Sequence, residues 1–267
     1  MRNIYGSNVL VTGASSGIGR EISILFASEG YNVFATSRHI EEKEEVLGKG
    51  RIISYRADVT DPDSLLKLRE KMESLSIIIH AAGFGIAGSA EDMEIDLARK
   101  QLDVNYFGPM TVNNIFLPML RENERSLIIF ISSIAGRVPI PFQSHYSSSK
   151  YALEAYSEAL GMEGRKYGLR TVLLEPGDTK TDFTARRKTY IPEGSIYKED
   201  AIKAIRKMEK DEENGKSPLT VAKAALKIAG RKNPPVRKPI GIEYSALMLL
   251  LRILPQNLVE KILMRLY

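Results

Sequence analysis

The chain contains 267 residues, with a formal net charge of +5 at pH 7 and no cysteine, and a chain of this length can bury its apolar residues in one domain spanning residues 1–267. The lack of cysteine excludes disulfides, thiolate metal sites and cysteine nucleophiles, and three scattered histidines give no reason to predict a metal site. The basic residues are dispersed among acids, which argues against nucleic-acid binding and favours a polyanionic small molecule or an anionic membrane surface as their partner.

The first predicted elements are a strand over residues 8–12 and a helix over residues 20–29, joined by a glycine-rich turn. Glycines at positions 13, 17 and 19 give this turn the spacing G-x-x-x-G-x-G. Glycine lets the backbone turn tightly and approach a pyrophosphate, and the first N–H groups of the helix can bind that anion. The order of strand, turn and helix predicts a dinucleotide phosphate site, with a purely structural turn as the alternative.

Short β-rich runs alternate with helical stretches along the rest of the chain. The predicted strands cover residues 8–12, 32–36, 51–55, 77–80, 127–132 and 171–174. Because these runs are apolar on both faces, they indicate a parallel sheet covered by helices on both sides. We expect a single-domain α/β fold with a Rossmann-type doubly wound sheet of about seven strands and its ligands at the carboxyl ends of those strands.

The end of the second strand indicates which dinucleotide the turn would bind. A carboxylate there would bind the ribose 2′-hydroxyl of NAD, but this chain has Ser37 followed by Arg38. A guanidinium suits a phosphate, so the pattern favours NADP(H), with an ordinary solvent-exposed loop arginine as the alternative. Asp58, after the third strand, is either a ligand-binding residue or a cap of the following helix, although Asp61 is better placed to cap.

The fourth predicted strand ends at His80, and Ala81, Ala82 and Gly83 follow it. His80 could hydrogen-bond across the sheet, but a core histidine with a satisfied partner is the favoured interpretation. Asn105 lies in a helical stretch, where asparagine is a poor helix former. Its presence calls for either a functional reason or an exposed position.

The segment from Ser133 to Lys150 contains the candidate catalytic residues. Tyr146 and Lys150 are four residues apart, so on a helix they share one face, and a neighbouring ammonium would lower the pKa of the phenol. Ser133 precedes Tyr146 by thirteen residues and could hydrogen-bond the same reacting oxygen, with Ser132 as the adjacent alternative. Such a tyrosine–lysine pair also occurs by chance on helix surfaces, so its interpretation depends on the glycine turn upstream.

A loop after the sixth predicted strand completes the candidate site. Pro176 and Gly177 begin this loop, and Thr179 and Thr181 follow. We expect the loop to lie at the carboxyl ends of the strands, with the two threonines as hydrogen-bonding side chains or as caps of the following turn.

Together these motifs resemble the short-chain dehydrogenases/reductases over residues 5–240. The resemblance implies an NADP(H)-dependent oxidoreductase that interconverts a carbonyl and an alcohol, with Asn105, Ser133, Tyr146 and Lys150 as its catalytic residues. The implied cofactor-binding residues are Gly13, Ser15, Ser16, Gly17, Ile18, Gly19, Ser37, Arg38, Asp58, Val59, Ala81, Ala82, Gly83, Tyr146, Lys150, Pro176, Gly177, Thr179 and Thr181.

The resemblance also assigns roles within this set. In the direction of reduction a hydride passes from the nicotinamide to the carbonyl carbon, and Tyr146 supplies the proton. Ser133 would hold the carbonyl oxygen, Lys150 would bind the nicotinamide ribose, and Asn105 would anchor a water that relays protons. Ser15 would share the 2′-phosphate with Arg38, and Asp58 would contact the adenine. His80 and Ala81 stand where the family often has two asparagines, which puts the hydrogen bonds of those amides in question.

The last third of the chain bears on substrate and partners. By resemblance, residues 182–215 form a mobile substrate lid. Residues 243–267 carry an apolar stripe at helical spacing, which suits a core or a subunit interface, and also a hydrophobic substrate entrance or a membrane surface. This tail resembles the steroid, retinol and acyl-dihydroxyacetone-phosphate reductase branch, which implies a hydrophobic steroid-, retinoid- or lipid-like substrate.

Location and assembly follow from the same reading. No segment has the apolar length of a signal peptide core or a membrane span, so we expect a cytoplasmic protein with possible peripheral contact to a membrane through the tail. The resemblance implies a homodimer or homotetramer in which the helices carrying Asn105 and Tyr146 pair across a two-fold axis.

Two other functions fit parts of the pattern. A non-catalytic NADP(H)-binding regulator could use the same fold, but the presence of all four catalytic candidates argues against it. An NAD-dependent sugar-nucleotide epimerase or dehydratase shares the Y-x-x-x-K pair, but it usually has a longer chain and a G-x-x-G-x-x-G turn.

Overall fold

Eight strands form one central sheet in the computed structural model, which describes residues 4–251 and 253–266. With two further strands outside this sheet, the strands of the described residues are, in chain order, β1 (Asn8–Thr12), β2 (Asn32–Ser37), β3 (Lys43–Leu47), β4 (Gly50–Arg56), β5 (Ile77–His80), β6 (Ile86–Ala87), β7 (Ser126–Ile131), β8 (Leu169–Pro176), β9 (Lys188–Thr189) and β10 (Arg237–Ile240). The sheet has the order β10-β8-β7-β5-β1-β2-β4-β3, and β6 and β9 form a separate short pair.

The helices lie between these strands. They are α1 (Gly17–Ser28), α2 (Pro62–Arg69), α3 (Ile95–Leu102), α4 (Gly108–Leu120), α5 (Ser144–Gly164), α6 (Phe183–Arg186), α7 (Lys198–Glu213), α8 (Pro218–Ala229), α9 (Ile242–Leu251) and α10 (Gln256–Leu266). A five-residue π-helix, Asp103–Phe107, joins α3 to α4.

All neighbouring strands of the sheet are parallel except β3, which runs antiparallel to β4 at one edge. The predicted doubly wound parallel sheet is therefore confirmed, with seven parallel strands and one added antiparallel edge strand. From β1 the chain builds outward through β2 and β4 on one side, and from β5 through β7, β8 and β10 on the other. The switch point between β1 and β5 is where such a sheet opens a crevice for ligands.

Alternate residues of the central strands feed two hydrophobic cores. Val9 and Val11 of β1 face α1 and α8, where they pack with Phe26 and Val221. Leu10, on the other face of the same strand, packs with residues of α2, α4 and α5. This alternation follows from the two-residue period of a strand, and it leaves β1 buried on both faces, as a parallel sheet between two helical layers requires.

Two strands of the sheet were not expected from the sequence. β3 is polar and largely exposed, so it lacks the apolar pattern of a central strand. β10 has only four residues and contains Pro239. Both lie at edges of the sheet, where a strand needs neither two apolar faces nor a full set of backbone donors.

Residues 182–215, the predicted lid, form α6, β9 and α7. α7 buries Ala201, Ala204, Ile205 and Met208 on one helix face. β9 pairs with β6, and the Tyr190 hydroxyl donates to a Glu94 carboxylate oxygen at 2.9 Å. The segment is thus built of regular elements, and its mobility stays a prediction.

The predicted tail, residues 243–267, corresponds to α9 and α10, and within it residues 252 and 267 lie outside the described part of the chain. Met248 is buried against Ile134 and Val138. Leu249 and Ile253 are exposed, so much of the apolar stripe faces outward. Within the described ranges, the helices lack the combination of length and apolarity needed to cross a bilayer.

Candidate active site

A cleft of about 1020 Å³ lies at the carboxyl ends of the sheet strands, around the β1–β5 switch point. It contains all nineteen predicted cofactor-binding residues in its lining, from the glycine turn to Thr181. Of the four predicted catalytic residues, Ser133, Tyr146 and Lys150 line the cleft, whereas Asn105 is buried behind its wall. The structure therefore brings together residues that are widely separated in the sequence.

The glycine turn fits tightly between β1 and the segment after β5. Gly13 has φ +68°, and a Cβ there would lie 2.6 Å from the Ala82 nitrogen. A Cβ on Gly19 would lie 2.4 Å from the Gly13 carbonyl oxygen. Thr12 Oγ1 accepts hydrogen bonds from the Ala81 and Ala82 N–H groups at 3.2 and 3.3 Å. These contacts explain the glycines and place the start of α1 at the cleft.

The start of α1 offers an anion site. Ser16 is the N-cap residue, but its side chain forms no cap hydrogen bond. Instead, Ser16 Oγ accepts a hydrogen bond at 2.9 Å from Nη1 of Arg186, a residue of α6 that also lines the cleft. The free N–H groups of the helix and this guanidinium make the turn suitable for a phosphate group.

Arg38 and Asp58 lie at the adjoining end of the cleft. The Arg38 side chain is 59% exposed, and its Nε lies 4.0 Å from Asp58 Oδ2. Asp58 Oδ1 accepts from the N–H and the hydroxyl of Thr60, at 2.9 and 2.8 Å. Asp61, not Asp58, caps α2 by accepting from the Asp63 N–H. Asp58 therefore orders the cleft edge and leaves the Arg38 guanidinium accessible.

His80 is a core residue in the structure. Its Nε2 lies 2.9 Å from Asn113 Oδ1 of α4, and its ring stacks on Phe130 with centroids 4.8 Å apart. Burial lowers the pKa of His80 to about 4, against a smaller effect of the Asn113 hydrogen bond. His80 is therefore neutral at physiological pH and faces α4 instead of the cleft, as the favoured interpretation expected.

α5 carries Tyr146 and Lys150 one turn apart. Lys150 Nζ donates to the Ile131 carbonyl at the end of β7 at 2.9 Å. The same nitrogen lies 5.7 Å from the centroid of the Tyr146 ring. Burial lowers the pKa of Lys150 to about 8, and the nearby Glu154 carboxylate opposes this shift.

The phenol of Tyr146 is more basic than the sequence suggested. Burial raises the pKa of Tyr146 to about 12, while the Ser133 side chain acts to lower it and the Glu212 carboxylate acts to raise it further. The Lys150 ammonium lies over the ring and is bonded to the Ile131 carbonyl, and burial of the phenol, not this neighbouring charge, sets the direction of the pKa shift. Tyr146 is consequently a protonated hydroxyl at neutral pH and is suited to donate a proton.

The adjacent serines differ in their contacts. The Ser132 hydroxyl donates to Glu154 Oε1 at 2.7 Å in the core. Ser133 Oγ accepts from the Ala135 N–H at 3.1 Å, and Ser133 lines the same cleft as Tyr146. Ser133 is therefore the hydroxyl available to a group that Tyr146 contacts.

Asn105 lies at the centre of the π-helix and is 1% exposed. Its amide nitrogen donates to the Phe84 carbonyl and to Ser149 Oγ, both at 3.0 Å. Its amide oxygen accepts from the Phe84 N–H at 3.1 Å. Asn105 thus fixes the chain next to Gly83 in the cleft wall, which gives the structural reason for an asparagine here. Its role in holding a water stays a prediction.

The cleft also contains residues that the sequence did not point to. Phe183 places its ring centroid 5.7 Å from that of Tyr146. Glu212 of α7 lines the cleft, pairs with the buried Arg187 and accepts from Thr184 Oγ1 at 2.5 Å. Gln143 and Arg186 complete this group. Only Gln143 had a usable signal, since it lies three residues before Tyr146 and hence on the same side of α5.

A parallel α/β sheet with a phosphate-binding turn and a buried tyrosine–lysine pair at its switch point defines a class, the dinucleotide-dependent oxidoreductases. The family model for short chain dehydrogenases matches residues 7–191, well over half of the chain. The chain belongs to the short-chain dehydrogenase/reductase family. It is therefore an oxidoreductase that acts on a hydroxyl or carbonyl group of a small molecule with a nicotinamide cofactor.

Individual proteins and structures agree with this assignment. A 3-ketodihydrosphingosine reductase of Bacteroides thetaiotaomicron is 36% identical over 239 residues, which cover 87% of each chain. A short chain dehydrogenase of Burkholderia cenocepacia in complex with NADP has a TM-score of 0.76 at 22% identity, covering 97% of this chain and 98% of that one. A family member of Burkholderia phymatum in complex with NAD has a TM-score of 0.79 at 20% identity, covering 94% of each chain. The structures show the common fold and do not decide between the two cofactors.

Proposed function

We propose that this protein is an NADP(H)-dependent oxidoreductase that interconverts a carbonyl and an alcohol on a hydrophobic, lipid-like substrate, with Tyr146 as the general acid and base. The observation that carries the proposal is that Ser133, Tyr146 and Lys150 share one cleft with the glycine turn. The phosphate-binding turn is suited to bind a dinucleotide. A protonated tyrosine beside a serine is suited to hydrogen-bond and protonate a carbonyl oxygen.

The residues of the cleft fit this cofactor. The glycines at positions 13 and 19 let the turn pack against neighbouring backbone where a Cβ would not fit. This packing holds the start of α1 at the cleft, where the first N–H groups of the helix would bind the pyrophosphate. No carboxylate ends β2 at the position that would contact a ribose 2′-hydroxyl, and the exposed Arg38 guanidinium would bind a 2′-phosphate there. These features support NADP(H) over NAD(H).

Each catalytic residue would have a separate role at the substrate oxygen. When bound, the nicotinamide supplies or accepts the hydride. Tyr146, which is protonated at neutral pH because burial raises its pKa to about 12, would donate its proton to the oxygen as negative charge develops there. Ser133 would hold the same oxygen by a hydrogen bond. Lys150, held by the Ile131 carbonyl, would keep a positive charge beside the phenolate that forms.

The walls around Tyr146 support a hydrophobic substrate. Ile134, Ile140, Phe183 and Tyr244 line the cleft. Tyr244 belongs to α9, whose outer surface is apolar and exposed, so an extended alkyl group could continue from the cleft along this helix. The Bacteroides relative is named a 3-ketodihydrosphingosine reductase, which is consistent with a lipid-like ketone as the substrate of this protein.

Assembly and location are proposed from the exposed apolar residues of the helices. Tyr151 and Met162 are exposed apolar residues on one side of α5, and this side is suited to pairing with a second copy in a homodimer or homotetramer. The exposed apolar residues of α9 and α10 are suited to peripheral contact with a membrane by a cytoplasmic protein.

The test is oxidation of NADPH and of NADH by the purified protein against a panel of ketones and aldehydes of increasing chain length. NADPH-dependent turnover that increases with chain length supports the proposal. Binding of NADPH without turnover of any carbonyl would favour a regulatory protein. Tight retention of NAD and turnover of a sugar nucleotide would favour an epimerase-like enzyme.

A further inference from the structure

Glu154 is a buried carboxylate of α5 on the side of Lys150 away from the cleft. It follows Tyr146 by eight residues and Lys150 by four, so the three side chains lie along one stripe of the helix. Glu154 is 2% exposed and is not part of the cleft lining. Because a substrate in the cleft does not reach this carboxylate, any effect of Glu154 on the reaction must pass through a neighbouring residue.

The end of β7 holds Glu154 and Lys150 side by side. Ser132 Oγ donates to Glu154 Oε1 at 2.7 Å. The preceding residue, Ile131, accepts from Lys150 Nζ at 2.9 Å through its carbonyl. A Cβ at Gly136 would lie 2.6 Å from Glu154 Oε1, so the carboxylate is also packed tightly on its other side. The carboxylate and the ammonium are therefore anchored to consecutive residues of the same strand end.

The charges packed around Glu154 make Lys150 part of a larger cluster. The other charged or titratable groups that face Glu154 are Arg237 of β10, Glu175 of β8, Arg137, and Tyr151 and Glu158 of α5. In their ionised forms, the three carboxylates of this cluster stand against two guanidiniums. The Lys150 ammonium supplies the third positive charge, and it is the one that lines the cleft.

The carboxylate favours the charged form of Lys150. Burial lowers the pKa of Lys150 to about 8, and the negative charge of Glu154 opposes this shift. Burial also raises the pKa of Glu154 to about 7, so its carboxyl group is ionised over the pH range in which Lys150 loses its proton. Loss of the negative charge at position 154 should therefore lower the pKa of Lys150 further.

We propose that Glu154 is a positioning residue that keeps Lys150 charged during reduction, acting from behind the cleft without touching substrate or cofactor. The inference rests on the proposed function, since it adds a residue that supports the role given there to Lys150. Proton transfer to the substrate remains with Tyr146.

The first part of the experiment is the pH profile of NADPH-dependent reduction by Glu154→Gln. Glutamine keeps the side-chain size and can still accept from Ser132 Oγ, but it has no charge. The decrease in kcat/KM at high pH should begin about 0.5 to 1 pH unit lower than in the wild-type protein. At about pH 6 the wild-type carboxyl group is mostly protonated, so the two proteins should differ there by about twofold or less. A merely structural role would lower the rate at every pH without moving the profile.

The second part measures the same effect without turnover. An NMR titration of the protein with ¹³C-labelled lysine side chains reports the pKa of Lys150, whose signal is identified by its loss in Lys150→Arg. We expect this pKa to be lower in Glu154→Gln by the same 0.5 to 1 unit, approximately. Calorimetric binding of NADPH checks that the variant is folded.

A matched control comes from the same cluster. Glu158 also accepts from Arg237, at 2.7 Å, but its side chain is 40% exposed. Glu158→Gln should therefore move the profile and the pKa of Lys150 by about 0.2 unit or less.

The contrary outcomes separate this inference from the proposed function. An unchanged pKa of Lys150 in Glu154→Gln, or an equal shift in Glu158→Gln, would overturn the role of Glu154 and leave the proposed function intact. A lowered pKa in a protein whose wild-type form reduces no carbonyl with NADPH would support the link between the two charges and overturn the proposed function.

Discussion

Lys150 lies over the ring of Tyr146, with its Nζ 5.7 Å from the ring centroid, and not in an ion pair with the phenolic oxygen. Both groups are buried, and burial favours the neutral form of each. It raises the pKa of Tyr146 to about 12 and lowers that of Lys150 to about 8. At neutral pH the tyrosine is protonated and the lysine is charged. This is the protonation state that reduction of a carbonyl requires.

The pH dependence of reduction follows from this pair. Tyr146 keeps its proton throughout the neutral range, so it produces no decrease there. Lys150 loses its charge as the pH rises through about 8, and with it the stabilisation of the phenolate that forms. We expect kcat/KM for reduction to be level at neutral pH and to decrease above about pH 8. In Lys150→Arg, whose charge persists at high pH, a retained decrease at the same pH would assign the titration to another group.

Replacement of Arg38 tests the choice of cofactor. Removing its guanidinium should weaken NADPH binding by about 10- to 100-fold, because a phosphate loses a charge-assisted partner. NADH has no 2′-phosphate, so its affinity should change little. Calorimetric dissociation constants of both dinucleotides for Arg38→Ala measure this difference. Arg20→Ala, an exposed arginine of α1 outside the cleft lining, is the matched control, and equal weakening of both dinucleotides by Arg38→Ala would refute the assignment.

Arg186 should affect the two dinucleotides alike. Its Nη1 donates to Ser16 Oγ at the start of α1, beside the expected site of the pyrophosphate, which NADH and NADPH share. Arg186→Ala should therefore raise both dissociation constants by a similar factor, on the order of tenfold. The same calorimetry measures it, and a change confined to NADPH would instead place Arg186 at the 2′-phosphate.

Arg237 is expected to be important for stability. Its guanidinium contacts Glu154, and donates to Glu175 at 2.9 Å and to Glu158 at 2.7 Å, with the first two carboxylates buried. Arg237→Met leaves buried carboxylates without their partner and should lower the free energy of unfolding by about 3–5 kcal/mol. Burial already raises the pKa of Glu154 to about 7.

The sign of the pH effect checks this explanation. Protonation removes the buried charge, so the loss of stability in Arg237→Met should be smaller at about pH 5 than at about pH 8. Urea denaturation at both pH values measures it. Arg99→Met, which removes an exposed ion pair, should change stability by no more than about 0.5 kcal/mol. A pH-independent loss in Arg237→Met would indicate lost packing in place of lost charge compensation.

Local rules account for the glycine turn. The spacing of Gly13, Gly17 and Gly19 predicts a turn at the end of a parallel strand, whereas the rest of the cofactor-binding list came from the family resemblance; the structure places these residues in the lining of one cleft, and their roles stay predictions. The tyrosine–lysine spacing likewise fixed a shared helix face. The pKa of Tyr146 was not accessible in this way, since it depends on how deeply the fold buries the phenol.

The residues that sequence reasoning missed depend on tertiary packing. Arg186 contacts Ser16, although the two residues are 170 positions apart in the chain. Arg186 lies just before β9, which pairs with β6. Gln143 follows Phe142, whose φ of 62° lies in the left-handed region and whose ring packs against residues of α7. The edge strand β3 was not predicted because it is exposed, and an exposed edge strand does not need the apolar side chains by which strands are recognised in a sequence.

The central claim is that Tyr146 transfers the proton in an NADPH-dependent reduction. The most direct measurement is NADPH oxidation with a long-chain ketone by the wild-type protein and by Tyr146→Phe, together with the dissociation constant of NADPH for each. The account predicts turnover by the wild-type protein, a decrease in kcat of about 10²- to 10⁴-fold in the variant, and similar NADPH affinity in both. Turnover by Tyr146→Phe at the wild-type rate would contradict the account.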